Sequence, residues 1–276
     1  MFHERAYAKL NLVLHVGRPR DDGMHPVCSL FASIDLADDV HGRRGTSGGD
    51  RVECPGVTEP NLALAAIAAL RERVGGAVPP VDVRIDKRIP VAAGLGGGSA
   101  DAAAVLRLVN RIAGEPLDSR ELRELARTLG SDVPSQLDPR HALVQGTGEL
   151  VEPVELPPLA AVLVAAREGL STRAVYAELD HMGGGRERLD PEPLRRLAAA
   201  TPDELAAALE NDLQPAALAL RPELEETLAR IRASGALGAA VSGSGPTCFG
   251  LFPDRPAAEL AAASLPGALV TELRGR

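Results

Sequence analysis

The stretch with the clearest chemical potential is a glycine-rich loop, Gly94-Leu95-Gly96-Gly97-Gly98-Ser99. Glycine lets backbone N–H groups approach a ligand closely, because no Cβ stands in the way. A helix that begins at such a loop directs the positive end of its dipole back towards the ligand. Loop and helix together predict a cradle for phosphate groups.

A strand and a helix flank this loop and would hold it in place. Before the loop, Val81, Val83 and Ile85 alternate with polar residues, which is the pattern of a strand. We expect Ser99 and Asp101 to cap the free N–H groups at the start of the following helix. Apolar residues recur at helical spacing and form one face of that helix: Ala102, Val105, Leu106, Val109 and Ala113.

Two common phosphate-binding motifs do not fit the loop. A Walker loop requires Gly-Lys-Ser/Thr, and no lysine lies between Gly94 and Ser99. A dinucleotide fingerprint requires a third glycine three residues after the second, where Ser99 stands. A loop that is merely flexible is the remaining alternative. A run of glycines between a strand and a helix costs conformational entropy on folding, so it is expected where the backbone has a function. The sequence therefore favours phosphate binding by another motif.

The segment from Pro90 to Ala103 resembles the second motif of the GHMP small-molecule kinases. Its glycines, serine and following Asp-Ala-Ala are similar to the branch that acts on 4-diphosphocytidyl-2-C-methyl-D-erythritol, although Ala100 stands where that branch usually has serine. The resemblance implies Mg²⁺ as a cofactor. Ser99 is a candidate to contact this ion or, alternatively, a phosphate oxygen. The resemblance also implies that ATP is bound by Pro90, Ala92, Ala93, Gly94, Leu95, Gly96, Gly97, Gly98, Ser99 and Ala100.

Near the N-terminus, apolar residues alternate with polar ones, which predicts a strand with one core face. Period two places Lys9 and Asn11 together on the opposite face, where an ordinary strand would expose them to solvent. The segment Ala6–Leu12 resembles the first motif of the kinases, whose lysine and asparagine lie at the active site. The resemblance therefore implies that Lys9 is catalytic and that Asn11 binds substrate.

Two aspartates stand where each would begin a helix. Asp118 forms a capping-box pattern with Glu121. Asp132 precedes Val133-Pro134, and taken alone it is best interpreted as the cap of a short helix. The sequence around it, however, resembles the family's Leu-Gly-Ala/Ser-Asp-Val-Pro, whose aspartate is catalytic. The resemblance implies that Asp132 binds substrate and orients or accepts its hydroxyl proton.

Further segments resemble the parts of the family that bind the alcohol substrate. Asp22-Gly23-Met24-His25 is similar to the family's Asp-Gly-Tyr-His, which holds cytosine; an ordinary surface loop is the alternative. Ser171–Tyr176 resembles a segment that supplies a second aromatic ring. Ser242–Thr247 is consistent with a plain hairpin turn but resembles the third motif, which approaches the phosphates. These likenesses imply that a substrate with a cytidine diphosphate moiety contacts Met24, His25, Thr172, Tyr176, Ser242 and Gly243.

Composition limits the class of protein. The chain has 276 residues, 45% of them hydrophobic, which supports a substantial core. A net charge of −8 argues against nucleic acid as a partner, and the apolar runs are too short to span a membrane. The start of the chain does not resemble a signal peptide, and three widely separated cysteines suit a reducing compartment. We therefore expect a cytoplasmic protein, as a monomer or homodimer.

The order of the patterned elements predicts a mixed α/β protein. The proline-rich segment 153–158 suggests two domains, residues 1–152 and 153–276. The second half reads strand, helices, strand, strand, helix, strand, which is an α+β sandwich. The resemblance implies the two-domain GHMP kinase fold, with an ATP-binding N-terminal domain, a ferredoxin-like C-terminal domain and the site between them.

The implied reaction is transfer of the γ-phosphoryl group of ATP to the 2-hydroxyl of 4-diphosphocytidyl-2-C-methyl-D-erythritol, in the non-mevalonate route to isoprenoid precursors. One alternative is a GHMP kinase that acts on a different alcohol. Another is a catalytically silent nucleotide-binding regulator, against which the presence of both Lys9 and Asp132 argues. The departures from the family pattern that keep another substrate open are Tyr7, Met24, Ser135 and Gln136.

Overall fold

The computed structural model of the protein describes residues 1–46, 48–57, 62–166 and 168–275. The chain divides into two compact units, and each unit is assembled from separate stretches. The first contains Met1–Ala8, Leu36–Val91 and Gly96–Pro139; the second contains Lys9–Asp35, Ala92–Leu95 and Arg140–Arg276. The domain boundary expected after residue 152 stays a prediction. No helix in the described part of the chain is long and apolar enough to cross a membrane.

The first unit combines a small mixed sheet with helices. Its strands come from β1 (Phe2–Val16), β2 (Val27–Arg44), β3 (Arg51–Glu53) and β4 (Val81–Asp86), of which β1 and β2 continue into the second unit. β4 pairs antiparallel with β2 and parallel with β3. The helices are α1 (Leu62–Val74), α2 (Gly97–Ile112), α3 (Ser119–Arg127) and α4 (Val133–Gln136), and a 3-10 turn spans Gly75–Ala77.

The core of the first unit forms where α1 packs against α2. Both helices bury alanines in one hydrophobic cluster, among them Ala63, Ala66 and Ala103. Small side chains at a helix contact allow the two backbones to lie close together. The sequence predicts a helix over residues 61–74; the structure has it from Leu62, and Asn61 lies outside the described residues.

The second unit contains an antiparallel sheet with helices. The sheet is formed by β7 (Ala160–Val164), β9 (Gly238–Val241), β10 (Cys248–Phe252) and β11 (Leu269–Glu272), in the order β11-β7-β10-β9. This order, with helices after β7 and between β10 and β11, is the expected ferredoxin-like arrangement. The helices are α5 (Thr172–His181), α6 (Glu192–Ala198), α7 (Pro202–Ala207), α8 (Gln214–Leu220), α9 (Glu223–Ala233) and α10 (Arg255–Ala262).

The long N-terminal strands supply the rest of this unit. The later part of β1 pairs in parallel with β8 (Glu210–Asn211), at Val13 and Leu14. The first residues of β2 pair antiparallel with β5 (Ala142–Gly146), which forms a hairpin with β6 (Leu150–Pro153). These parts of β1 and β2 therefore pair with strands that follow them by more than a hundred positions in the sequence.

A buried histidine lies beneath the C-terminal segment of the second unit. His141 is 8% exposed, and its Nδ1 accepts a hydrogen bond from the Ser33 backbone N–H at 3.1 Å. The backbone N–H of Arg274 donates to the Ser33 carbonyl at 3.0 Å. Burial lowers the pKa of His141 from its ordinary value of 6.5. Since Nδ1 accepts a hydrogen bond, the folded protein holds this imidazole neutral.

We predict that stability falls as the pH is lowered through about 6.5, because the unfolded chain then takes up a proton at His141 that the folded protein binds only at lower pH. The contribution is at most about 1.4 kcal/mol per pH unit. Urea unfolding at several pH values should show this slope in the unaltered protein and a smaller slope in His141→Gln. The exposed His181→Gln serves as the control. Equal slopes in all three proteins would contradict the assignment.

Candidate active site

A buried ammonium group lies in the middle of β1. The side chains of Lys9 and Asn11 lie on the same face, and the residues are only 5% and 2% exposed. Lys9 Nζ donates to Asn11 Oδ1 at 2.5 Å and lies 4.9 Å from the centre of the Phe31 ring. A buried charge is costly unless polar or aromatic groups compensate it. The amide oxygen and the ring are therefore part of what keeps this lysine inside the protein.

A short chain of hydrogen bonds fixes the orientation of the Asn11 amide. The Ser29 hydroxyl donates to the Val13 carbonyl at 2.6 Å. Because a hydroxyl has one hydrogen to donate, its oxygen must accept from Asn11 Nδ2, at 2.9 Å. The amide oxygen of Asn11 is then turned towards Lys9. Ser29 was not among the residues expected from the sequence, and no local pattern marks it.

The turn between β9 and β10 packs against this pair. A Cβ on Gly243 would lie 3.3 Å from Lys9 Nζ and 3.1 Å from Asn11 Oδ1, and Gly243 has a φ of 57°. The turn is held by Asn211, whose Nδ2 donates to the carbonyls of Val241 and Gly243, both at 2.8 Å. The segment is a hairpin turn, and it also covers the lysine.

The start of the glycine-rich loop and the residues just before it pack against the same turn. Ser242 Oγ donates to the Gly94 carbonyl at 3.0 Å, and the Thr247 N–H donates to the Ala93 carbonyl at 3.3 Å. A Cβ on Gly94 would lie 2.2 Å from the Ser242 carbonyl oxygen, so only glycine fits. Ala92 has a φ of 51°, which is uncommon for a residue other than glycine. The Lys9 centre, the turn and this end of the loop thus form one packed arrangement within the second unit.

The other end of the loop starts α2 in the first unit. The residue before the helix is Gly96, with a φ of 70°, and no side chain within the described residues caps the helix. The expectation that Ser99 and Asp101 cap it is wrong: both lie inside the helix, which begins at Gly97. Glycine at positive φ turns the chain into the helix without a capping side chain. The first N–H groups of α2 are therefore not used by a cap, as a phosphate cradle requires.

Asp101 has a different role, in a buried charge cluster that anchors the loop. Lys87 Nζ donates to Asp38 Oδ2 at 2.5 Å and to Asp101 Oδ2 at 2.8 Å. Asp38 Oδ1 also accepts the N–H groups of Arg88 and Ile89, at 2.5 and 2.8 Å. Burial raises the pKa of Asp101 in spite of the Lys87 ammonium. Burial opposes the charge of Lys87, but Asp101 and Asp38 raise its pKa. The cluster ties the chain before the loop to α2.

Asp132 stands directly before α4. It occupies the capping position, but its side chain makes no capping hydrogen bond, so the interpretation as a helix cap is wrong. Arg107, on α2, fixes the other end of this short helix: Nη1 donates to the Gln136 carbonyl at 2.8 Å and Nε to Glu4 at 3.0 Å. Asp132 belongs to the first unit and Lys9 to the second. Arg107 was not expected from the sequence.

The residues whose segments resemble the cytosine-binding segments of the family lie in the second unit. His25 is 8% exposed, and its ring centre lies 5.0 Å from that of Tyr176. Thr172 Oγ1 is 2.9 Å from Ser244 Oγ, so its nearest described polar partner is in the turn after β9. Met24 is 45% exposed. The structure thus brings His25 and Tyr176 together and places Thr172 beside the turn that contains Ser242 and Gly243.

One carboxylate beside His25 was not expected from the sequence. Asp180 Oδ1 lies 3.4 Å from His25 Nε2. Asp180 follows Tyr176 by one helical turn on α5, so both residues project from the same face. The i, i+4 spacing can be read from the sequence and predicts that the two side chains share a helix face. The sequence does not show that His25 lies beside that face.

Comparisons with known proteins identify the family. Residues 61–138 match the model of the GHMP kinases N terminal domain, and residues 194–270 match that of the GHMP kinases C terminal domain. A 4-diphosphocytidyl-2-C-methyl-D-erythritol kinase of Mycolicibacterium smegmatis is 44% identical, with 96% of this chain and 85% of that protein covered. Its counterpart in Streptomyces coelicolor is 43% identical, with 93% of this chain and 90% of that protein covered.

A solved structure agrees with this assignment. The crystal structure of a 4-(cytidine 5'-diphospho)-2C-methyl-D-erythritol kinase superposes with a TM-score of 0.82 at 35% identity, covering 100% of both chains. The predicted two-domain, mixed α/β fold is therefore confirmed. The chain belongs to the GHMP kinases and, within them, to the family of 4-diphosphocytidyl-2-C-methyl-D-erythritol kinases.

Proposed function

We propose that this protein transfers the γ-phosphoryl group of ATP to the 2-hydroxyl of 4-diphosphocytidyl-2-C-methyl-D-erythritol. The names of its relatives support this substrate. The observation that carries the proposal is the buried Lys9–Asn11 pair, covered by the turn at Gly243 and by the start of the glycine-rich loop. An oriented ammonium group inside the protein suits a reaction that moves a negatively charged group.

ATP is the phosphate donor of GHMP kinases, and we propose that the loop and the start of α2 hold its phosphates. The helix directs uncapped N–H groups and its positive dipole end at the loop. Gly97 and Gly98 keep side chains away from these groups, so a phosphate oxygen can reach them. The Lys87 cluster and the Ser242 turn each hold one end of the loop in a fixed shape before ATP binds.

Lys9 and Asp132 are the residues we propose for the chemical step. The Lys9 ammonium would attract the phosphoryl oxygens and neutralise charge as it develops on them. The Asp132 carboxylate would orient the 2-hydroxyl and accept its proton. Asn11 would keep Lys9 in position and contact the substrate. Arg107 supports the proposed role of Asp132, because it holds the far end of α4 in place.

A magnesium ion would neutralise the charge of the ATP phosphates. No group of three or more His, Cys, Asp or Glu side chains suited to a metal occurs among the described residues. Mg²⁺ commonly binds through one or two protein groups and the substrate phosphates. Ser99, in the first turn of α2, has no side-chain hydrogen bond within the described part of the chain and is the proposed protein ligand.

We propose that the cytidine group of the substrate binds beside His25 and Tyr176. Tyr176 offers a flat surface for the base, and His25 offers a ring nitrogen for its edge. Met24, which is exposed, would cover the second face of the base with a flexible thioether in place of a rigid ring. We expect the protein to act in the cytoplasm, as a monomer or homodimer.

The function is tested by an assay that couples ADP formation to a spectroscopic signal, with alcohols that carry or lack the cytidine diphosphate group. We expect turnover only with 4-diphosphocytidyl-2-C-methyl-D-erythritol. Equal or faster turnover of an alcohol without cytidine would contradict the proposed substrate. Binding of ATP without turnover of any alcohol would contradict the assignment as an active kinase.

Replacing Gly98 by alanine tests the phosphate cradle. An added Cβ would meet only Leu62 Cδ1, at 3.9 Å, so the fold should accept it. Alanine favours helix over glycine by up to about 1 kcal/mol, so stability should be unchanged or slightly higher. We expect ATP affinity, measured by calorimetry with a non-hydrolysable analogue, to fall about tenfold or more. Gly76→Ala, whose Cβ would meet no atom within 4 Å, is the control. Undiminished affinity in folded Gly98→Ala would exclude the cradle.

Replacing Asp132 by asparagine tests the proposed proton acceptor. An amide keeps the shape of the side chain but cannot accept the hydroxyl proton, so kcat should fall by about a hundredfold to ten-thousandfold. The Michaelis constant for ATP should change little. The control is Asp118→Asn, which alters an exposed aspartate that does cap a helix, by accepting the Glu121 N–H at 2.8 Å. Near-normal kcat in Asp132→Asn would remove Asp132 from the mechanism.

A further inference from the structure

The side chain of Asn11 is closely confined where it meets Lys9. Asn11 is buried, and a Cβ on Gly243 would lie only 3.1 Å from its Oδ1. Lys9 Nζ donates to the same oxygen at 2.5 Å. In a site packed this closely, the amide can exchange its oxygen and its N–H₂ by a half turn, but it has little room to swing elsewhere. The amide therefore decides what the Lys9 ammonium group meets on this side.

A backbone carbonyl sets the direction of the amide, through Ser29. The Val13 carbonyl oxygen can only accept a hydrogen bond, and the Ser29 hydroxyl, 2.6 Å away, gives it the single hydrogen that it has. Ser29 Oγ then offers lone pairs to Asn11 Nδ2, at 2.9 Å. Val13 is itself held in the sheet, where it pairs with Glu210 on β8. The chain of hydrogen bonds thus runs in one direction, from Lys9 to the backbone of β1.

Both the direction and the position of the amide depend on this chain. A reversed amide would turn its N–H₂ towards the Lys9 ammonium group and its oxygen towards the lone pairs of Ser29. Without the Ser29 hydroxyl, Asn11 Nδ2 would have no side-chain acceptor within the described part of the chain. The amide would then be held on this side by Lys9 alone. Because a lysine side chain is long and flexible, an acceptor that moves with it does not fix its ammonium group.

We infer that Ser29 is a positioning residue for the phosphoryl transfer, because it ties the Asn11 amide to the backbone and thereby fixes the ammonium group of Lys9. The inference rests on the proposed function of Lys9 and adds the means by which that lysine is held. Ser29 acts through Asn11 and needs no contact with either substrate. Groups that stabilise developing charge are effective when they are in place beforehand. A loosened ammonium group should therefore slow the chemical step more than it weakens the binding of ATP.

The kinetic test replaces Ser29 by alanine and by cysteine in the full-length protein. Alanine removes the hydroxyl group, whereas cysteine restores the volume with a thiol that is a weak donor and a weak acceptor. We expect kcat to fall about tenfold or more in both variants, because small displacements at a reacting centre are costly. The Michaelis constant for ATP should change little. Ser33→Ala, which removes another buried serine hydroxyl from β2, is the control and should keep its kcat.

The cysteine variant separates hydrogen bonding from packing. Near-normal kcat in Ser29→Cys would overturn the inference, because side-chain volume alone would then suffice. Near-normal kcat in folded Ser29→Ala would also overturn it, and so would an equal fall in Ser33→Ala. If the unaltered protein turns over no alcohol, the proposed function fails and the inference fails with it. If the unaltered protein is active and Ser29→Ala is equally active, the inference alone fails.

A spectroscopic test observes Lys9 directly and does not depend on turnover. The chain has only two lysines, Lys9 and Lys87, so labelling the lysine ε-carbons with ¹³C gives two side-chain signals in an NMR spectrum. Loss of one signal in Lys9→Arg identifies it. We expect Ser29→Ala to shift or broaden the Lys9 signal and to leave the Lys87 signal in place, because Asp38 and Asp101 hold Lys87. An unmoved Lys9 signal, or equal changes in both signals, would overturn the inference.

The route through Asn11 is tested by combining two substitutions. In Asn11→Asp both side-chain oxygens accept hydrogen bonds, and no N–H₂ remains for Ser29 to hold. Adding Ser29→Ala to Asn11→Asp should therefore alter the Lys9 signal much less than Ser29→Ala does alone. Equal effects of Ser29→Ala in the two backgrounds would show that Ser29 does not act through the amide, and would overturn the inference.

Discussion

The burial of one lysine side chain on a strand is the constraint on which the packing around it in the second unit depends. Lys9 lies on β1 beside Asn11, and the amide of Asn11 is oriented by Ser29 on the neighbouring β2. The turn after β9 closes over the pair, and glycine is required there because a side chain would press on both residues. Strand β1, the hydrogen bonds through Ser29 and the turn after β9 come from distant parts of the sequence. Each of them helps to position or cover the Lys9 side chain.

In the first unit, helix α2 is the element that positions the other residues of the proposed site. Its first turn offers uncapped N–H groups, Asp101 in its second turn holds Lys87, and Arg107 further on holds the end of α4. One rigid element thus connects the proposed phosphate site with the segment that carries Asp132. Rigid placement matters for phosphoryl transfer, in which positioning and charge neutralisation supply most of the catalysis.

Features with a local signal were predicted well from the sequence. The glycine-rich loop, the apolar face of α2 and the capping box at Asp118 each depend on residues close together in the chain, and the structure has all three. The caps at Ser99 and Asp101 were predicted wrongly, because Asp101 is drawn to Lys87, fourteen positions earlier in a different element. The contacts of Ser29, Arg107 and Asp180 were missed for the same reason. Their partners are distant in sequence, and spacing in one chain does not reveal such contacts.

The way the second unit is assembled bears on how the protein is made. Leu14 and Val16, at the end of β1, belong to a hydrophobic cluster whose other fully buried members lie between residues 160 and 265. A ribosome releases β1 long before it has synthesised those partners. During translation the apolar face of this strand is exposed, and an unpaired strand of this kind invites association with other chains. The order of synthesis therefore gives the nascent protein a period of vulnerability that ends only when the C-terminal half emerges.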